Sequence, residues 1–176
     1  MIDHHGLGRV ILGYHSGPSQ QAPGPREVID EAAALFRAAG LEVQATDDLA
    51  RSRWQKLLMN IPFSGLTLLL DSGTRGLMAQ PQVRALVRVL MEEVAAGAAL
   101  CGHPLPRDSI EKAWAAHDTA VDYRSSMQLD YAARHRLELE AIYAAPLEAV
   151  ARAGGSMPSV QMLYQVLSFL DERNRA

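Results

Sequence analysis

The hydrophobic residues in the first part of the chain form two short apolar runs, one on each side of a helical segment. Residues 8–14 form an apolar run bounded by glycine, and residues 41–45 alternate apolar and polar side chains, as strands do. Between these runs, Pro25 suits the first position of a helix and Gly40 the position just after its end. The pattern predicts one βαβ unit, whose sheet would need neighbouring elements to cover it.

From residue 46 onward, the pattern predicts helices only. Thr46 or Asp47 can cap a helix that runs through Trp54 and Asn60. Pro62 is expected to kink or end this helix, because a proline inside a helix removes an N–H donor and clashes with the preceding turn.

A second helix is predicted over residues 81–101, before a break at Gly102. Its apolar residues recur at helical spacing: Leu86, Val87, Leu90, Val94 and Ala98. Further helices are expected at about residues 107–118, 122–135, 136–153 and 158–173. We therefore expect a mainly α-helical protein in which a small βαβ unit precedes the helices.

The composition indicates a folded protein of one domain, or of one domain with a small appendage. The 176 residues are 48% hydrophobic and 21% charged, with a formal net charge of -3. This mildly acidic balance argues against nucleic-acid binding by phosphate neutralisation. The single cysteine, Cys101, cannot form an internal disulfide, the first residues do not form a signal peptide, and no apolar stretch is long enough to span a bilayer. We expect a cytoplasmic protein without a nucleic-acid or membrane partner.

Neither of the two common phosphate-binding glycine motifs is present. The sequence contains no Gly-x-Gly-x-x-Gly and no Gly-x-x-x-x-Gly-Lys, and Gly6-Leu7-Gly8 lacks the rest of a dinucleotide fingerprint. The six histidines make no spacing that is typical of a zinc site, so no metal site is predicted.

The first candidate site is a lysine and an asparagine on one helix. Lys56 and Asn60 are four residues apart and therefore share a helix face, just ahead of the proline. Such a pair could donate hydrogen bonds to a carbonyl and a carboxylate. Spacing alone also fits an exposed lysine beside a capping or solvated asparagine.

The second candidate pairs Ser126 with Glu138. These residues are twelve apart, so a single continuous helix would hold them more than three turns from each other. They can meet only through a break in the helix or at the two ends of a cleft. The alternative is an N-cap serine and an ordinary exposed glutamate.

Three short motifs together resemble the ketopantoate reductase (2-dehydropantoate 2-reductase) family. They are Trp-x-Lys-x-x-x-Asn at residues 54–60, Ser-Ser-Met-x-x-Asp at 125–130 and Glu-x-Glu-Ala-Ile at 138–142. Their order and the gaps between them agree with the family, and residues 154–158 resemble its turn before the last helix. The resemblance covers the whole chain.

The resemblance implies a fold and a cofactor. Residues 47–176 resemble the family's all-helical substrate-binding and dimerisation domain, which is 6-phosphogluconate-dehydrogenase-like, and residues 1–46 resemble a remnant of its Rossmann domain. The family uses NADPH to reduce a 2-keto acid, ketopantoate, to pantoate in pantothenate biosynthesis. Because a partial Rossmann sheet exposes apolar surface that another element must cover, we expect a homodimer. The family's glycine-rich nucleotide motif is not in these residues, so we also expect them to bind NADPH poorly and to be inactive in isolation.

The resemblance also assigns residue roles. Lys56 matches the catalytic lysine, which donates a proton as an alkoxide develops, and Glu138 matches the acid that binds the substrate hydroxyl. Asn60 and Ser126 match substrate-binding residues, and Ser64 stands where the family usually has a second substrate-side asparagine.

Other departures leave the substrate open. The family often has asparagine where this chain has Tyr123, Asn-Gly where it has Tyr143 and Ala144, and a glutamine where it has Leu129. Lost hydrogen-bond partners change specificity strongly. One alternative is therefore a related reductase for another 2-keto acid, and a third hypothesis is a catalytically incompetent helical module that only associates with itself.

Overall fold

The computed structural model describes residues 10–14, 26–118 and 122–175. These residues divide into two compact units, one up to Arg53 and the other from Trp54 onward. The division of function that the sequence suggested, with residues 1–46 as a nucleotide-binding remnant and residues 47–176 as a substrate domain, stays a prediction.

The first unit is a βαβ element, as predicted. It comprises β1 (Val10–Gly13), α1 (Arg26–Ala38) and β2 (Val43–Thr46), and the two strands pair in parallel. The helix is followed by a turn at Gly40, whose φ of 82° is accessible to glycine at little cost, and whose N–H donates to the Arg37 carbonyl. Pro25, the predicted first residue of the helix, lies outside the described residues.

Helix α1 buries only part of its apolar surface within this unit. Ile29 and Ala33 are buried, whereas Val28, Leu35 and Phe36 are exposed. A two-stranded sheet with one helix is too small to cover all of its apolar side chains, in agreement with the expectation from the sequence.

The rest of the described chain is helical, which confirms the predicted fold class. The elements are α2 (Leu49–Leu69), α3 (Thr74–Ala79), α4 (Pro81–Leu100), α5 (Ser109–Asp118), α6 (Ser126–Ala132), a π-helical segment (Glu140–Ala144), α7 (Ala145–Arg152) and α8 (Pro158–Arg175). The short helix α3 was not predicted from the sequence. No helix within the described ranges is long and apolar enough to cross a membrane.

Helix α2 runs through the centre of the second unit. All seven residues from Ile61 to Thr67 are buried, so the helix has no solvent-facing side along this stretch. A helix that is surrounded on all sides in this way belongs to the core rather than to the surface. Leu163 and Leu167 of α8 lie beside Gly65 of α2, and Val87 and Met91 of α4 belong to the same core.

Pro62 does not end α2, contrary to one of the two expectations from the sequence. The helix continues for seven further residues, to Leu69. Proline cannot donate a backbone hydrogen bond to the carbonyl of Leu58, one turn back, which normally favours a helix end. Here the following turn is enclosed by the core, and that burial keeps the backbone helical.

The two helices predicted at residues 122–135 and 136–153 are shorter than expected. Helix α6 occupies only Ser126–Ala132, Arg134 has a φ of 59°, and helical structure resumes just ahead of the π-helical segment. The left-handed backbone at Arg134 cannot continue an α-helix. The chain therefore has a true break between Ser126 and Glu138.

A carboxylate of α4 caps the N-terminus of α8. Both oxygens of Glu93 lie 3.0 Å from the Ser159 backbone nitrogen, and one lies 3.1 Å from that of Val160. These N–H groups have no partners within the helix, and the helix dipole favours a negative charge at this end. Glu93 thus fastens the last helix to the core helix α4.

Replacing Glu93 with alanine is expected to lower the free energy of unfolding by about 1–2 kcal/mol, the usual cost of losing a good helix cap. The matched control is the neighbouring Glu92→Ala, which removes only an exposed contact of 3.8 Å to Arg88 and is expected to be nearly neutral. Urea unfolding of both variants provides the measurement, and equal effects would contradict the assignment of Glu93 as the cap.

Candidate active site

Helix α2 carries three of the five predicted site residues in one row. Lys56, Asn60 and Ser64 follow each other at intervals of four residues, so their side chains share one face over about 12 Å of helix. Lys56 is exposed, Asn60 is half-buried and Ser64 is buried. The row therefore runs from solvent into the core.

The π-helical segment packs against α2 beside this row. The phenol of Tyr143, which is fully buried, donates a hydrogen bond of 2.8 Å to the carbonyl of Ile61. Burial raises the pKa of Tyr143 far above its ordinary value, against the opposing effect of a hydrogen bond from the Gly65 backbone, so the phenol stays protonated. Gly65 is needed at this point, because an added Cβ would collide with the Tyr143 hydroxyl.

Helix α6 meets α2 one turn further along. Ser125 is the N-cap of α6 and forms a reciprocal capping box with Gln128, with both hydrogen bonds at 3.2 Å. Its hydroxyl also lies 2.8 Å from that of Thr67 in α2. The capping role that the sequence left open for Ser126 thus belongs to Ser125, and Ser126 is an exposed residue in the first turn of α6.

Glu138 lies just beyond the break after α6. Its side chain is exposed, whereas the flanking Leu137 and Leu139 are buried. The N–H of Leu137 donates to the carboxylate of Asp171 in α8 at 3.1 Å, and the carbonyl of Glu138 accepts from Ile142 at 3.1 Å. Anchored on both sides, the segment directs the carboxyl group of Glu138 outward.

The structure thus brings the other two motif-bearing segments onto α2, which carries the first motif itself. Ser125 joins the segment of Ser126 to α2, and Tyr143 joins the segment of Glu138 to it, both within residues 61–67. In the described part of the chain, however, no hydrogen bond or ion pair connects the side chain of Lys56 with that of Glu138 or Ser126.

Two residues at the site carried no assignment from the sequence. In the sequence, Tyr143 was noted only as a departure from the family pattern, and no structural or catalytic role was assigned to it. Asp171 follows Val160, Leu163 and Leu167 at helical spacing, so a charged residue on an apolar stripe was the signal that could have revealed it.

A cavity of about 370 Å³ lies beyond the end of the row, between parts of α2, α6 and α8. Asp71, Arg124 and Arg173 are among the residues that line it, and none of the five predicted site residues does. No group of metal-ligating side chains occurs within the described ranges.

Comparison with known proteins gives one consistent result. The family model described as the C terminal of ketopantoate reductase PanE/ApbA matches residues 48–171. A 2-dehydropantoate 2-reductase from Nostoc sp. is 37% identical over 175 residues, which are 99% of this chain and 54% of the relative.

Solved structures agree with this result. The crystal structure of 2-dehydropantoate 2-reductase from Methylococcus capsulatus has a TM-score of 0.88 and 31% sequence identity. The match covers 98% of this chain and 54% of the Methylococcus chain. The structure of the Geobacter metallireducens enzyme has a TM-score of 0.84 and 38% sequence identity. The match covers 96% of this chain and 53% of the Geobacter chain. The chain spans about half the length of these relatives. Together with the three motifs, the match shows that the chain belongs to the ketopantoate reductase family and corresponds to its C-terminal part.

Proposed function

We propose that this chain forms the substrate-binding part of an NADPH-dependent reductase that converts ketopantoate, a 2-keto acid, into pantoate in pantothenate biosynthesis. The observation that carries the proposal is the row of Lys56, Asn60 and Ser64, which leads from solvent to the point where the segments of Ser126 and Glu138 pack on α2. An ammonium group, amide and hydroxyl groups and a carboxylate are the groups that a 2-keto acid with a hydroxyl substituent requires.

In the proposed reaction, Lys56 donates a proton to the oxygen of the keto group as the carbonyl is reduced to a hydroxyl. Its positive charge stabilises the negative charge that develops on this oxygen in the transition state. Asn60 and Ser126 donate hydrogen bonds to the substrate, and Glu138 accepts one from its hydroxyl group. Ser64 matches a substrate-binding position of the family, but its side chain is buried in the core, so we assign it no direct contact with the substrate. Lys56 and Glu138 are therefore the proposed catalytic residues.

NADPH would supply the hydride when bound. The residues of this chain do not fit a dinucleotide on their own, because the sequence contains no glycine-rich turn of the type that holds a pyrophosphate. We therefore assign no cofactor-binding residue in this chain, and we expect the 176 residues alone to give no turnover.

A related reductase for another 2-keto acid is the second candidate, because Ser64 and Tyr123 stand where the family has substrate-side asparagines. A site that loses such hydrogen-bond partners discriminates differently between substrates.

The experiment uses a chimera in which this chain follows the part of the Nostoc relative that it does not match. NADPH oxidation by the chimera is measured with ketopantoate and with 2-ketoisovalerate, which lacks the hydroxymethyl group. We expect a higher kcat/KM with ketopantoate, and a preference for 2-ketoisovalerate would favour the second candidate. A folded chimera that reduces neither compound would contradict the ketopantoate assignment, and a folded chimera that reduces none of a panel of 2-keto acids would favour the self-association module.

Self-association is proposed under each of these hypotheses, with a homodimer as the expected state. Met162, Val166 and Phe169 are exposed and lie on one face of α8, where they form an apolar stripe that a second copy could cover. Sedimentation of the chain at high micromolar concentration tests this proposal, and the mass of a single chain would contradict it.

A further inference from the structure

Asp171 is a charged residue in a position that the apolar pattern of α8 reserves for the core. Its side chain is 8% exposed, and it follows the buried Leu167 by one turn. Burying a carboxylate costs free energy unless it is paired and hydrogen-bonded. Asp171 meets both conditions, because one oxygen accepts from the Leu137 N–H at 3.1 Å and the other lies 3.0 Å from the Arg175 guanidinium.

The neighbouring residues of α8 contact the other side of the same break. The side-chain amide of Asn174 donates to the Tyr131 carbonyl at 2.8 Å, and the Arg173 guanidinium lies 3.3 Å from the Tyr131 hydroxyl. The last turn of α8 therefore contacts the chain at residue 131, where α6 is ending, and at residue 137, where the next segment begins.

The start of the break is fixed by its own backbone, because the N–H groups of Arg134 and His135 donate to the last turn of α6. Further along, the Leu137 N–H donates to the Asp171 carboxylate rather than to a backbone carbonyl. Arg134 is in the left-handed region, and residues 135–138 are in neither helix nor strand. Between two buried leucines, Glu138 is exposed. A shift by one residue would turn a leucine outward and Glu138 inward, because the exposed Glu138 stands directly between the buried Leu137 and Leu139.

We propose that Asp171 is a positioning residue for the reaction: by holding the backbone N–H of Leu137, it sets the register of the segment that presents Glu138 to the substrate. The inference rests on the proposed function, because the role of Glu138 is itself part of that proposal. It adds a residue of α8, 33 positions further along the chain, to the groups on which the site depends.

The first test measures amide hydrogen exchange at Leu137 in the 176-residue chain. Asp171→Ala removes the acceptor, so we expect Leu137 to exchange about tenfold faster or more while the amides of α4 keep their protection. Asp171→Asn retains a side-chain oxygen at the same place and is expected to keep most of the protection. Glu172→Ala, the adjacent exposed residue, is the matched control and should leave Leu137 unchanged.

If Asp171→Ala does not fold, Asp171→Ser takes its place, because its shorter side chain falls short of the Leu137 N–H. Faster exchange confined to the segment around Leu137 supports the proposal. Unchanged exchange at Leu137 in a folded variant overturns it.

The second test measures the kinetics of the chimera with four variants. We expect Asp171→Ala to lower kcat/KM about tenfold or more, Asp171→Asn to restore most of it, and Glu172→Ala to have no effect. Glu138→Gln separates the two ideas. If Glu138→Gln lowers kcat/KM but Asp171→Ala does not, the positioning role of Asp171 is wrong. If Glu138→Gln has no effect, the proposed role of Glu138 is wrong, and the reaction then has no need of a residue that positions it.

Discussion

Replacing Lys56 with alanine in the chimera is expected to lower kcat by about 10²-fold or more, since a well-placed general acid contributes on this scale. Lys56 is exposed and makes no hydrogen bond or ion pair within the described ranges, so its loss should change the free energy of unfolding by only about 0.5 kcal/mol or less. The expected variant is thus a stable protein with little activity.

Lysine 112 offers a matched control, because Lys56 and Lys112 are the two lysines of the sequence. Lys112 lies on α5, is exposed and pairs with Asp108 at 2.6 Å. Lys112→Ala should leave kcat unchanged. Lys56→Arg keeps the positive charge but cannot easily release a proton, so we expect it to remain impaired. Wild-type turnover in Lys56→Ala would show that Lys56 is not the proton donor.

Replacing Gly65 with alanine is expected to lower the free energy of unfolding by about 1–3 kcal/mol, the usual cost of overpacking a core. The added Cβ would collide with the Tyr143 hydroxyl and lie 2.9 Å from the Leu163 Cδ2 atom and 3.0 Å from the Leu167 Cδ1 atom. Alanine has a higher helix propensity than glycine, by about 1 kcal/mol, which offsets part of this cost. Equilibrium unfolding of the 176-residue chain in urea gives the measurement.

A double-mutant cycle identifies the cause of this loss. Tyr143→Phe removes the hydroxyl that bonds the Ile61 carbonyl, and the loss of this buried hydrogen bond is expected to cost about 0.5–1.5 kcal/mol. It also removes the atom with which the Cβ at position 65 would collide, so the double variant should lose less than the sum of the two single losses.

Tyr164→Phe is the control for this cycle. Tyr164 stacks on Tyr143 with ring centroids 6.4 Å apart, but its hydroxyl makes no hydrogen bond within the described ranges. The substitution should therefore be nearly neutral. Strict additivity of Gly65→Ala and Tyr143→Phe would show that the contact between α2 and the π-helical segment is not what requires glycine.

Elements with strong local signals were predicted well from the sequence. Helix α4 was expected at residues 81–101 and occupies Pro81–Leu100, because its apolar residues repeat at helical spacing and a proline and a glycine mark its ends. The βαβ unit was recognised for the same reason, since alternation, Gly40 and the apolar runs act over a few residues.

The prediction failed where contacts between distant residues override local preference. A proline inside a helix is expected to kink or end it, and the helix end at Pro62 was wrong, because α2 continues through the buried residues Ile61–Thr67 to Leu69. The residues after Ala132 have ordinary helix propensities, yet the chain breaks there. The contact that holds the new direction, from Leu137 to Asp171, joins residues 34 positions apart, so no local pattern reports it.

By itself the sequence determined the family, the mainly helical class and the five candidate site residues, because motifs and periodicity can be recognised from residues that are close together along the chain. Only the tertiary structure decided that Ser125 rather than Ser126 caps α6, that Tyr143 is bonded to the backbone of α2, and that Asp171 anchors the segment of Glu138. The cap is set by a local capping box with Gln128, whereas the other two depend on which distant groups a buried polar atom meets. Burial makes such pairing obligatory, but the partner is chosen by packing.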